Sequence, residues 1–143
     1  MGVYILRKTF RFEASHQLPH HDGKCARLHG HSWAMTVELR GEALGPTRLV
    51  DEVRIMNAEP CAIMPNYNPK AGMLLDFADV SKAVAPFLDK FLDHWHLNET
   101  TKIENPTSEA LCKWMFVGLE PTLPLLYAVE IEETCTSSAR YER

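Results

Sequence analysis

No run of the 143-residue chain approaches the roughly 20 apolar residues of a membrane span. The opening Met1-Gly2-Val3-Tyr4-Ile5-Leu6-Arg7-Lys8 has no long apolar core ahead of a small-residue cleavage site. A cytoplasmic protein with no membrane partner is therefore expected. Basic tracts are missing too. Net charge is -4 with neutral histidines, and no stretch interleaves Lys or Arg with aromatics, which argues against nucleic acid as partner and leaves a small polar substrate. The four cysteines, Cys25, Cys61, Cys112 and Cys135, form no C-x-x-C pair and lack a secretory context, so reduced thiols are expected. Cys112 in a helical pattern and Cys135 in a strand pattern read as small apolar residues. A domain over residues 1–143 buries roughly two-thirds of its unfolded surface without a disulfide or metal staple. Any metal would then serve function rather than folding.

What is present is a clear change of period along the chain. Phe10, Phe12, Ala14 and His16 alternate with Arg11, Glu13 and Ser15, closing a strand over 3–16 with His16 on the aromatic face. A loop follows over 17–28. From His29 to about Gly41 a second strand places His29, His31, Trp33, Met35, Val37 and Leu39 on one face. Residues 43–71, rich in proline and asparagine, read as an atypical insertion with a short mixed stretch over 49–56. A helix is expected from roughly 77 to 92, capped by Asp76 and broken or kinked at Pro86. A second helix starts after Asn105-Pro106, with Thr107 or Ser108 as cap, and stops between Gly118 and Pro121. Tyr127 to Cys135 alternates as a further strand, with 139–142 as its partner. The order β-β-α-α-β-β implies an α+β fold.

Residues two apart on a strand share a face, so His29 and His31 can reach one ion while Gly30 faces away, and His16 needs only a neighbouring strand. For any one of these histidines a hydrogen-bonded core role is the simpler reading. Three inward imidazoles would need many partners, which favours a metal, with zinc first among ions that imidazole suits. Cys25 sits in the loop leading into the second strand, with Lys24 and Arg27 adding positive charge that favours thiolate. The alternative is an incidental surface thiol. Adjacent Asp93 and His94 suit an acid–base dyad, or else a helix end whose histidines favour the negative end of the dipole. Glu133 falls on the inward face with Tyr127, Val129 and Ile131, where a carboxylate needs a partner. A ligand with a guanidine-like edge would suit it, as would an internal arginine.

With these residues assembled, the chain resembles the 6-pyruvoyl-tetrahydropterin synthase superfamily, and within it the branch that makes 6-carboxy-5,6,7,8-tetrahydropterin. The matching blocks are Phe12-Glu13-Ala14-Ser15-His16, Lys24-Cys25 through Leu28-His29-Gly30-His31, and Gly72-Met73-Leu74-Leu75-Asp76-Phe77. Leu92-Asp93-His94, Leu97-Asn98, Asn105-Pro106-Thr107-Ser108-Glu109 and Glu133-Thr134-Cys135-Thr136 complete them. The resemblance implies a tunnelling fold (T-fold), an antiparallel sheet with two helices on one face that oligomerises into a barrel. A trimer-based homohexamer with active sites between subunits is the expected assembly. It also implies one Zn2+ per subunit on His16, His29 and His31, catalysis by Cys25, Asp93 and His94, and a pterin held by Glu133. Thr107 and Ser108 are expected to help hold the pterin, and Lys24 and Arg27 to contact a triphosphate. The implied reaction converts 7,8-dihydroneopterin triphosphate to 6-carboxy-5,6,7,8-tetrahydropterin, acetaldehyde and triphosphate, in the route to queuosine and other 7-deazaguanines. Two alternatives stay open: elimination of triphosphate alone, as in 6-pyruvoyl-tetrahydropterin synthases, or a non-catalytic zinc- or pterin-binding protein on the same fold.

Overall fold

A computed structural model describes residues 2–44 and 70–143. Most of the 43–71 insertion, Cys61 and the mixed stretch over 49–56 therefore lie outside the described residues. Strand β1 (Tyr4–His16) buries Phe12, Ala14 and His16 while Arg11 and Glu13 stay exposed, the outcome its alternation requires. Strand β2 (His29–Gly41) runs antiparallel to it without a register break, from Tyr4 opposite Gly41 to His16 opposite His29. A one-residue slip would turn every histidine to the other face. The core pattern therefore fixes the site as well.

Helix α1 (Phe77–Phe91) starts at Asp76, whose carboxylate accepts a hydrogen bond from Ala78 N at 2.8 Å. It runs through Pro86 instead of breaking there. Pro86 and Lys82 are both exposed, so the lost bond to the Lys82 carbonyl falls on the solvent side of the helix. Helix α3 (Ser108–Leu119) is capped by Thr107, which accepts from Ala110 N at 3.2 Å. Val80 and Val84 of α1 and Leu111, Met115 and Leu119 of α3 share one core with Trp33, Met35, Val37 and Leu39. Each such side chain contributes about 1.5–3 kcal/mol on burial. Gly118 lets the helices approach, because a Cβ there would lie 2.5 Å from the Phe87 ring.

Strands β4 (Leu126–Thr134) and β5 (Ser137–Glu142) continue the sheet antiparallel beyond β2. On the opposite edge, β3 (Trp95–His96) pairs parallel with Ala14 and Ser15, giving the order β3-β1-β2-β4-β5. The sheet is thus mixed and five-stranded, where a purely antiparallel one was expected. A third helix, α2 (Leu97–Thr101), follows β3 and is too short for periodicity to reveal. Both additions follow from backbone pairing at the free edge of β1. Glu13 N donates to the Asp93 carboxylate at 3.0 Å, and His94 N donates to the Glu13 carbonyl at 2.6 Å. These bonds satisfy edge groups that would otherwise need water.

Two cysteines diverge in character. Cys112 is buried, its Sγ 3.0 Å from the Ala139 carbonyl, and burial pushes its thiol up to about 11. Cys135, expected in a strand pattern, is instead exposed in the turn beyond Thr134, where β4 ends. On the polar face of the sheet, Glu38 accepts from Arg40 Nε at 2.8 Å and from Arg140 Nη2 at 2.9 Å. Burial opposes its ionisation, but those hydrogen bonds outweigh it and hold the carboxyl below the usual range.

Candidate metal centre and active site

Continuous β1–β2 pairing places His16 directly opposite His29, with His31 two residues further along the same face. Their ring centroids lie 4.6 Å (His16–His29), 5.3 Å (His16–His31) and 4.9 Å (His29–His31) apart. One ligand atom from each falls within 4.8 Å of the others, so the group can hold a metal ion. The tautomers are set for that purpose. His16 Nδ1 donates to the Pro106 carbonyl at 3.0 Å, and His29 Nδ1 donates to the Arg27 carbonyl at 2.6 Å. Each Nε2 therefore carries the lone pair, and such outer bonds orient metal-binding imidazoles. The Nε2 atoms of His16, His29 and His31 are all buried and have no hydrogen-bond partner. Three buried, unpartnered Nε2 atoms within reach of one another fit the donor set of an ion such as zinc.

Electrostatics agree with a neutral, ligating state. Burial lowers the pKa of His16 most strongly; the Pro106 bond and Glu133 act in the other direction, and His29 and His31 lower it further. Burial likewise lowers that of His31, with Glu133 opposing and His29 reinforcing the shift. Trp33 forms the floor, its ring edge-on to His16 at 4.9 Å and to His31 at 5.1 Å.

Glu133 joins this group. Its Oε1 lies 3.2 Å from His16 Nε2 and 3.4 Å from His31 Nε2, so its partners are the histidines and not an arginine. Cys25 occupies a single 3-10 turn (Lys24–Ala26) and lines a cavity of about 370 Å³ with Lys24, Arg27, Leu28, His29 and His31. Asp93 and His94 do form a pair, Oδ1 to Nδ1 at 3.0 Å, on a turn after α1 where His94 adopts φ 62°. The Glu13 amide is the main reason the Asp93 carboxyl is held low, with His94 adding to it. His94 lines a different cavity of about 630 Å³, together with Glu13, Ser15, Ser32, Trp95 and His96 among others. Among the described residues His31 lines both cavities, while Cys25 lines one and His94 the other. Thr107 spends its hydroxyl as the α3 cap, with Ser108 beside it, one step beyond the carbonyl that orients His16.

Sequence reasoning missed several supports. The carbonyls of Arg27 and Pro106 act through backbone, which no residue pattern announces. Asn98 accepts from Gln17 N at 3.0 Å and donates to the Gln17 carbonyl at 2.9 Å, clamping the chain just beyond His16. A signal for it existed in the Leu97-Asn98 block.

Fold and site together define a class: an α+β protein whose sheet carries a three-histidine group able to hold a metal ion. Residues 5–143 match the family described as 6-pyruvoyl tetrahydropterin synthase; the chain belongs to it and is a lyase of the pterin-synthase type. It is 40% identical over 140 residues to a 6-carboxy-5,6,7,8-tetrahydropterin synthase of Synechocystis sp., covering 97% of this chain and 93% of that protein. A protein of the same name from Bacillus subtilis is 23% identical over 147 residues, covering 96% and 84%. The structure of Caenorhabditis elegans 6-pyruvoyl tetrahydropterin synthase superposes with a TM-score of 0.73 at 27% identity, covering 100% of this chain and 97% of that one. No helix among the described residues is long and apolar enough to cross a membrane.

Proposed function

We propose that the protein is a zinc-dependent 6-carboxy-5,6,7,8-tetrahydropterin synthase. It would act on 7,8-dihydroneopterin triphosphate and release acetaldehyde and triphosphate, supplying the 7-deazaguanine route. The observation that carries this reading is the convergence of three orphaned imidazole Nε2 atoms beside the cavity that Cys25 lines. The Synechocystis relative, similar over nearly the whole chain, supports the carboxy product over the pyruvoyl one.

His16, His29 and His31 would hold the Zn2+. When bound, the ion supplies Lewis acidity that makes the carbinol protons of a hydroxylated side chain easier to remove. Glu133 accepts two parallel hydrogen bonds from the 2-amino and N3 edge of the pterin, a geometry that also fixes ring orientation. Lys24 and Arg27, exposed at the rim of the Cys25 cavity, meet the triphosphate. Thr107 and Ser108, at the start of α3, offer groups to the pterin edge. Cys25 as thiolate takes a side-chain proton, and His94, oriented by Asp93, serves the other transfer.

Cys25 and His94 line different cavities of one chain, which supports a homo-oligomer in which a second copy completes each site. A trimer-based barrel, as a hexamer, meets that requirement. Incubation of zinc-loaded protein with 7,8-dihydroneopterin triphosphate should give acetaldehyde and the 6-carboxy product by mass spectrometry. A 6-pyruvoyl product would reassign the reaction, and absence of any turnover would favour a binding protein.

A further inference from the structure

β3 stops after pairing in parallel with Ala14 and Ser15, because at Leu97 the backbone turns into α2. Continued in step, the ladder would next set His16 beside Leu97 and Gln17 beside Asn98. The side chain of Asn98 takes over there. Its Oδ1 accepts from Gln17 N at 3.0 Å and its Nδ2 donates to the Gln17 carbonyl at 2.9 Å, so one amide satisfies both backbone groups of the residue after His16. Nδ2 carries two protons, and it also donates to the Glu104 carbonyl at 3.2 Å.

Glu104 stands two residues before Pro106, whose carbonyl accepts from His16 Nδ1 at 3.0 Å. Asn98 therefore joins the two segments that this hydrogen bond spans: the end of β1, which carries the ring, and the loop before Thr107, which carries the acceptor. Its own mount is firm. Leu97 is fully buried, and Thr100 Oγ1 donates to the Phe91 carbonyl at 2.6 Å, tying α2 to the end of α1. If the Pro106 carbonyl moved off Nδ1, the ring proton could pass to Nε2, the atom an ion needs, with the Glu133 carboxylate 3.2 Å away to accept a bond from it.

We propose that Asn98 is a positioning residue of the metal centre: by holding Gln17 to Glu104 it keeps the Pro106 carbonyl on His16 Nδ1, and so leaves the His16 Nε2 lone pair to the ion. This deepens the proposed function and rests on its metal reading. The arrangement demands an amide. Aspartate has the same shape but would set an acceptor against two carbonyls, and alanine would leave all three backbone groups without their partner.

The test compares the full chain as wild type, Asn98→Asp and Asn98→Ala with Thr100→Val, which cuts the tie from α2 to Phe91 and leaves Gln17 and Glu104 joined. Nitrogen–proton NMR of the histidine rings in metal-free protein reads the His16 tautomer, and chelator competition reads Co2+ affinity. Wild type and Thr100→Val should hold His16 with its proton on Nδ1 and bind Co2+ within about twofold of each other. Both Asn98 variants should show a mixture of tautomers and bind Co2+ about 10- to 100-fold more weakly, as when an outer support of a metal ligand is lost. Asn98→Asp keeps the bond from the Gln17 amide, so it reads the centre even where Asn98→Ala is too unstable to isolate. An unchanged tautomer, or Co2+ affinity within about twofold of wild type, in Asn98→Asp would overturn the proposal whatever its melting temperature. An equal loss of affinity in Thr100→Val would overturn it as well, since loosening of α2 would then account for the effect. Wild type that binds no Co2+ would defeat the zinc reading, with the tautomer comparison still deciding whether Asn98 holds His16.

Discussion

Replacing Trp33 with phenylalanine separates its role as core filler from its role as floor of the metal centre. Trp33 is fully buried, stacks on Phe12 with centroids 6.0 Å apart, and donates from Nε1 to the Ala14 carbonyl at 3.1 Å. Trp33→Phe keeps an aromatic ring but removes that donor and the five-membered half of the indole. The lost hydrogen bond costs about 1 kcal/mol, and the incompletely filled cavity about 1–2 kcal/mol more. A total of about 2–3 kcal/mol corresponds to a fall in Tm of roughly 6–10 °C for a chain of this size. The rings of His16 and His31, which rest edge-on against the indole, lose their backing at the same time. Metal affinity should then drop about 10- to 100-fold, as when outer supports of a metal ligand are removed. Melts followed by circular dichroism with excess chelator read the first effect, and chelator competition reads the second. Leu119→Ala, at the far end of α3 from Pro106, should match or exceed the loss of stability at about 2–5 kcal/mol and leave metal affinity unchanged. If Trp33→Phe destabilised the protein but bound metal as tightly as Leu119→Ala does, Trp33 would be ordinary core and the floor argument would fail.

Other expectations concern the site and its pH dependence. Cys25→Ala should retain zinc and pterin binding while turnover falls about 10²- to 10⁴-fold, measured by product formation; full activity would remove Cys25 as the base. In the metal-free protein, His16 and His31 have folded pKa values below 6.5, so the unfolded chain takes up their protons first as pH falls. Stability from these two groups is complete above about pH 6.5 and declines as pH drops from there toward their depressed values, visible as a falling Tm between pH 7 and 5. Glu38→Gln should cost about 1–2 kcal/mol at pH 7, discounted because the guanidinium partners remain partly exposed. Since the folded Glu38 pKa is lowered, that difference should persist above its ordinary value and vanish as acid titrates the folded group in parallel melts.

Much of the centre was legible because β1 and β2 are regular. A period of two over 13 unbroken pairs converts sequence spacing directly into position, so His16, His29 and His31 could be placed on one face. The register shift between Glu132 and Thr134 was not legible, because one inserted residue leaves the local alternation intact. Glu133 was correctly inward, yet its histidine partners came from other strands. β3 and α2 escaped for a different reason: two and five residues carry too little periodicity, and their place depends on bonds from Asp93 and His94 to Glu13, some 80 positions away. Pro86 did not end α1, because a proline's cost depends on whether water can reach the carbonyl it strands. Cys135 misled because the strand ended one residue earlier than its alternation implied.

The joint at Pro106 and Thr107 has a kinetic consequence. The Pro106 carbonyl holds the imidazole of His16, and the next residue closes the first turn of α3 through the Ala110 amide. An ion that fixes His16 should therefore slow fraying at this helix end, and the exchange rate of a single amide hydrogen, that of Ala110, is expected to gauge how firmly His16 is held.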